Sequence, residues 1–307
     1  MARWTRKSHP WSNTLRHPFG RVICVGALFL AIVLPLGFLR IPATDPQLLG
    51  FVYDLVAIVM AVYVVGKFTE NKGLRDYGLN FNKLTLRDLL LGFLIGAGLM
   101  SLIILVMTEL GWCRLGTLVH TGDAHRWFWL LCAFYAFGAL GEELLFRGYL
   151  FHIFEDRWGT GAALALTMAM FGAMHLLEPA ENVTARFAER GALFLGLELG
   201  LLLASCFLIR RSLWLPIGLH WAWNLFEGPV YGAHVSGADF GRPLLPAHFV
   251  GPTWMTGGYY GPEASVPALI LGFGVGILLL RQAIRMGQWK SFADAGAMRE
   301  VHSVTNT

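Results

Sequence analysis

Six side chains that can do chemistry sit among Leu, Phe, Trp and Gly: Glu142, Glu143 and Arg147 in "EELLFR", His175 in "FGAMH", and His220 with Asn224 in "HWAWN". Glu143 and Arg147 are four residues apart and pair along one face if the stretch is helical. Glu142 is turned about 100° from Glu143, so one carboxylate meets a structural partner while the other faces a cavity. A buried ion pair that merely holds helices together is the plain account of the same residues. A glutamate in an apolar site makes a general base for water. An imidazole at the same level holds that water or carries its proton onward, and His220 with Asn224, one helical turn apart, offers donors to an oxyanion. The combination points to amide hydrolysis by activated water. No Ser or Cys stands with a base in a nucleophile motif, so covalent catalysis is poorly supported. The rival chemistry is a zinc ion held by His175, His220 and Glu142; no HExxH is present, but dispersed ligands can build such a site.

These groups need elements that bring them to one place. The chain has 307 residues, 55% hydrophobic and 14% charged, with a mean hydropathy of +0.54. Soluble proteins carry about 25% charged residues, so too few are present to cover a soluble surface. Apolar runs at 22–39, 48–65, 89–107, 127–145, 162–177, 193–209, 213–226 and 266–280 approach or reach the roughly 20 residues of a bilayer crossing. They predict an all-α integral membrane protein of about eight transmembrane helices. Ionisable groups inside such spans are functional candidates by default. The fourth and fifth helices read as a hairpin turning at Trp158–Gly159 in "EDRWGTGAA". Glu142 and His175 are equally far from that turn, and the helical rise puts both roughly 25 Å from its tip. From the Arg210–Arg211 turn, His220 and Asn224 lie roughly 14 and 20 Å along the seventh helix. A polar cavity between the fourth, fifth and seventh helices follows. Asp54 and Glu198 read as bonds between neighbouring helices, and Trp127, Trp158 and Trp214 as interfacial anchors.

The organisation is a basic arm over 1–21, a multi-span domain over 22–285 with its core at about 127–228, and a tail over 286–307. The net charge of +4 is spread among the connections with no dense basic tract, which argues for topology and against a nucleic-acid partner. Eighteen Lys and Arg, Arg147 included, fall on the arm, the even-numbered connections and the tail. Six (Arg40, Arg114, Arg126, Arg186, Arg190, Arg242) fall on the other side. That bias places both termini in the cytoplasm. The first apolar run is too long for a signal-peptide core and lacks a small-x-small cleavage site, so it reads as a retained helix. Four cysteines without CxxC spacing indicate neither a disulfide framework nor a cysteine zinc site. The long connection over 228–262, rich in Gly, Pro and aromatics, reads as a lid or a structural plug. No internal repeat is evident, although carriers often show one.

The three stretches resemble the EExxxR, FxxxH and HxxxN motifs of the CAAX prenyl protease type II family, also called the CPBP or ABI intramembrane proteases. They occur in order over about 137–228, and "TGGYYGPEAS" resembles a segment found in many bacterial members. The resemblance implies an eight-helix fold with its site in a cavity open to the cytoplasmic side. It implies Glu142 as water activator with His175, Glu143 and Arg147 as their supporting pair, and His220 with Asn224 as oxyanion stabilisers. The family is described both as metalloproteases and as metal-free glutamate enzymes. The lack of a compact ligand motif favours the metal-free view, with zinc the one candidate cofactor. The expectation is an intramembrane endopeptidase in a bacterial inner membrane. Its partners would be the bilayer and a membrane protein or peptide, cut near the C-terminus or in a membrane-proximal part. Eukaryotic members remove three residues from prenylated CAAX proteins, while bacterial-type members are linked to peptide processing or bacteriocin self-immunity. A transporter using the same ionisable groups and a catalytically idle immunity or scaffold protein are the alternatives.

Overall fold

Apolar composition and well-made helix starts set the architecture. Pro18 and Pro267 occupy first helical turns, where their missing N–H costs nothing, and the Thr121 and Ser265 hydroxyls cap two further orphan N–H groups. The computed structural model describes residues 17–38, 46–176, 185–239 and 241–295. Arm residues 1–16, Arg40 and the tail beyond 295, all used in the charge count, lie outside the described residues, as does the side chain of Arg186. Helices α1 (Pro18–Gly37), α2 (Pro46–Glu70), α3 (Thr85–Glu109), α4 (Gly122–Glu143), α5 (Phe151–Met174), α6 (Ala185–Arg210), α7 (Trp214–Leu225) and α8 (Val266–Arg285) follow in order. A π-helical segment, Leu144–Leu150, joins α4 to α5, and another, Phe226–Val230, extends α7. Two three-residue strands, β1 (Cys113–Leu115) and β2 (Ala247–Phe249), pair antiparallel.

Among the described residues six helices are long and apolar enough to cross a membrane. Gly122–Met174 counts as one of the six although it doubles back, and α7 is short for a span. The expected all-α integral membrane fold is therefore present, with six candidate spans among the described residues by length and composition.

The reversal lies at Gly159, where φ 82° and ψ 172° break α5. That backbone region is open essentially to glycine alone, and a Cβ there would also stand 2.9 Å from the Lys290 carbonyl oxygen. Phe146 and Phe171, about equidistant in sequence from the break, meet edge-to-face with ring centroids 5.3 Å apart. The hairpin register expected from the sequence is thus the observed one.

Polar groups clamp the hairpin tip. Buried Glu155 accepts from Arg211 Nη1 at 2.6 Å, from Thr160 Oγ1 at 2.6 Å and from Lys290 Nζ at 3.1 Å. Nearby, Glu70 accepts from Arg21 at 2.6 Å and from the Tyr77 hydroxyl at 2.7 Å, while Lys72 reaches Asp156 at 3.2 Å. The start of α1, the connections after α2, within α5 and after α6, and the end of α8 therefore share one end of the bundle. The β1–β2 pair and the loop over 231–262 lie at the other.

Close backbone approach fixes how the site helices are rotated. A Cβ on Gly92 of α3 would stand 2.1 Å from the Leu215 oxygen, and one on Gly218 of α7 would stand 2.1 Å from the Leu89 oxygen. Small residues of this kind let membrane helices pack backbone to backbone. Gly172 of α5 does the same against Ala192 of α6, at 2.4 Å. These two contacts set the facing of His220 and His175.

Candidate active site

Glu142 from α4, His175 at the end of α5, and His220 with Asn224 from α7 line one cavity of about 930 Å³. Its apolar wall comes from Leu55, Ile58, Phe134 and Phe137, and the loop after α7 contributes His234–Asp239, Tyr259 and Glu263. Glu143 and Arg147 do not line it. They are buried directly behind it.

Each imidazole has one nitrogen fixed. His175 Nδ1 lies 2.7 Å from the Phe171 carbonyl oxygen, four residues back on its own helix. A carbonyl only accepts, so Nδ1 carries a hydrogen, and in the neutral ring Nε2 is an acceptor. His220 Nδ1 lies 2.9 Å from Glu143 Oε1, which directs Nε2 toward Glu142 Oε2 at 3.9 Å. The Phe171 ring packs edge-on against both imidazoles, with centroids 4.8 and 6.2 Å away.

Glu143, 0% exposed, is the hub. Its Oε1 accepts from Arg147 Nη1 at 2.9 Å as well as from His220. Arg147 is 1% exposed; it donates from Nη2 to the Leu199 carbonyl of α6 at 3.2 Å and lies 4.4 Å over the Phe171 ring centroid. A guanidinium in this position satisfies its charge by carboxylate, carbonyl and π-face together. Reading Glu143 from sequence as the partner of Arg147 alone was incomplete, because it also orients His220. Glu142, by contrast, keeps its carboxylate partly open, and its Oε2 has no hydrogen-bond partner among the described residues.

Residues 124–226 match the profile of the family described as Rce1-like, type II CAAX prenyl endopeptidase, and all six residues fall inside that match. Over that third of its length the chain is similar to the type II CAAX prenyl endopeptidases. No curated protein and no solved structure matches the chain.

Around the matched residues the structure adds groups that sequence reasoning missed. Glu263 lines the cavity although it is 1% exposed, and its Oε1 accepts from Ser236 N at 2.6 Å and Ser236 Oγ at 2.8 Å. Its own N–H donates to Oε1 of buried Glu227 at 2.8 Å. Burial pushes the Glu263 carboxyl above its ordinary range. The available signal was the glycine spacing in "TGGYYGPE". Gly261 has φ 121°, and a Cβ there would stand 2.1 Å from the His234 carbonyl oxygen. Asp54, expected to bond a neighbouring helix, lines the cavity. Glu198 departs from its expectation too: both carboxyl oxygens are buried with no hydrogen-bond partner among the described residues.

The donor set does not fit the zinc alternative as placed. Among the described residues no three His, Cys, Asp or Glu side chains are grouped to hold one ion. Two tetrahedral zinc ligands stand about 3.3 Å apart, given bonds of about 2.0–2.1 Å, whereas His220 Nε2 and Glu142 Oε2 are 3.9 Å apart.

The cavity also has a definite position along the bundle. Its wall takes the Gly50–Ile58 part of α2, the Met174–His175 end of α5 and the loop after α7. It therefore lies in the half remote from the Glu155 cluster and from the start of α1. The start of α1 and the end of α8 therefore stand at the end of the bundle opposite the cavity.

Proposed function

We propose that the protein is an intramembrane endopeptidase that hydrolyses a peptide bond in a membrane protein or peptide, near its C-terminus or in a membrane-proximal part. The observation that carries this reading is the convergence of two acceptors, the Glu142 carboxylate and His175 Nε2, with His220 and Asn224 in one cavity.

A water molecule donating to Glu142 and His175 keeps a lone pair for the substrate carbonyl. As the O–C bond forms, Glu142 takes the water proton. The Asn224 amide meets the developing oxyanion. His220 joins it from Nε2 when the ring carries a second proton, because Nδ1–H is held by Glu143. The C–N bond then breaks as Glu142 returns its proton to the leaving amine. Arg147 takes no part in bond making; it fixes Glu143, and through Glu143 the direction of His220.

The test is hydrolysis of a quenched-fluorescent peptide library by purified full-length protein in nanodiscs, beside Glu142→Gln. Comparative proteomics of membranes from cells carrying either form would identify the natural cut. Cleavage by wild type and none by the variant is the expected result. No cleavage by either, or equal cleavage by both, would refute the reading.

A further inference from the structure

The position of the cavity and the distribution of basic residues come from separate observations, and together they assign the cavity to one side of the membrane. Of the described Lys and Arg, Arg147 is buried in the core. Twelve of the others stand at the end of the bundle where Arg21, Lys72, Arg211 and Lys290 pair with Glu70, Glu155 and Asp156. Four stand at the opposite end: Arg114, Arg126, Arg190 and Arg242. Lys and Arg in short connections are retained on the cytoplasmic side, so the end rich in ion pairs faces the cytoplasm.

The cavity belongs to the other end. Glu142 and His175 lie roughly 25 Å along their helices from the hairpin tip. In a hydrocarbon core about 30 Å thick, that depth is close to the far boundary. The wall nearest that boundary is the loop after α7, through His234–Asp239, Tyr259 and Glu263. Asp239 and Tyr259 are 62% and 60% exposed there. Over 231–262 this loop contains one basic residue, Arg242, and no Lys.

We infer that the cavity opens on the face of the membrane away from the cytoplasm, and that its substrate is a peptide segment presented there after membrane insertion or translocation. Translocation is then the class of reaction that must supply the substrate, and a peptide tail held in the cytoplasm cannot reach Glu142. The substrate part of this inference rests on the endopeptidase reading; the orientation does not.

Substituted-cysteine labelling of the full chain, with Cys24, Cys113, Cys132 and Cys206 replaced by Ser or Ala, tests the orientation. Asp239→Cys marks the cavity mouth, and Lys83→Cys marks the end rich in ion pairs. With a membrane-impermeant maleimide, Asp239→Cys should label in intact spheroplasts at least tenfold faster than Lys83→Cys. The order should reverse in inverted vesicles. Labelling of Asp239→Cys only in inverted vesicles, or of both positions from both sides, overturns the inference. If either substitution prevents folding, Tyr259→Cys and Asn82→Cys serve the same two positions. An impermeant quenched peptide cleaved by the wild-type chain in nanodiscs is then added to both vesicle types. Hydrolysis confined to right-side-out vesicles supports the substrate assignment, and hydrolysis confined to inverted ones overturns it. Outside labelling of Asp239→Cys without hydrolysis of any peptide in nanodiscs would leave the orientation standing and remove the endopeptidase reading and the substrate with it.

Discussion

Replacing Glu143 by Gln is the perturbation that most directly separates support from chemistry. The substitution keeps the shape but removes the charge that faces Arg147 Nη1 and His220 Nδ1, each 2.9 Å from the same oxygen. Breaking a buried ion pair by removing one partner costs about 3–5 kcal/mol. Part of that is retained here. The Gln carbonyl still accepts, though a neutral bond is roughly half as strong as a charge-assisted one, and Arg147 keeps the Leu199 carbonyl and the Phe171 ring. The net loss expected is about 2–4 kcal/mol, which for a chain of this size lowers the melting temperature by roughly 3–6 °C. Thermal unfolding in detergent, followed by size-exclusion fluorescence, reads it out. A cycle with Arg147→Leu adds the decisive number. The double variant should be less destabilised than the two single effects combined, by about 1–3 kcal/mol, since leaving both partners out removes the unpaired charge. A Glu143→Gln protein that melts within about 1 °C of wild type would refute the hub assignment.

The remaining expectations are shorter. Glu142→Gln should lower kcat by at least about 10²–10³-fold while melting like wild type, because its Oε2 supports no other group; near-normal hydrolysis sinks the general-base role. Chelator-treated, metal-analysed protein should keep its activity and His220→Ala should mainly lower kcat; stoichiometric zinc whose removal and return switch activity off and on would reverse that. Gly261→Ala should loosen the loop after α7, since its Cβ would meet the His234 oxygen at a φ that side chains avoid; unchanged hydrogen exchange over 234–263 would count against that contact holding the loop. The Glu263 carboxyl is raised in the folded protein, so the stability its proton supports is full below the unfolded value near 4.5 and is lost as pH rises through the higher folded value. Hydrogen-exchange protection of Ser236 should fall over that window, and Glu263→Gln should flatten most of the dependence.

What could be read in advance depended on which force fixes each feature. The hairpin was legible because two apolar arms flank one glycine turn. Counting residues from that turn then fixes depth without knowledge of packing, which is why Phe146 meets Phe171 and Glu142 shares a cavity with His175. The six polar side chains were conspicuous because a bilayer makes each costly, so few others compete for notice. Helix rotation was not legible. Whether His220 faces Glu143 or lipid depends on how Gly92, Gly96 and Gly218 let α3 and α7 approach, a pairwise fit that neither helix states alone. Glu263 was hidden for a different reason: a loop has no period, and only the closed contact at Gly261 explains why a buried acid enters the cavity wall there.

The conflict over the cavity's side has the same origin. Basic residues report the orientation of the chain, while motifs report which residues meet; neither says at which end they meet. Hairpin depth supplies that missing link. Once Glu142 is placed far from Arg211 and Lys290, the charge bias becomes a statement about the reaction, since it decides which side of the membrane delivers the peptide. The motifs alone would carry over the cytoplasmic opening that the resemblance implies. In this chain that opening would require the end bearing Arg21, Lys72, Arg211 and Lys290 to face outward, against the rule that retains such residues inside.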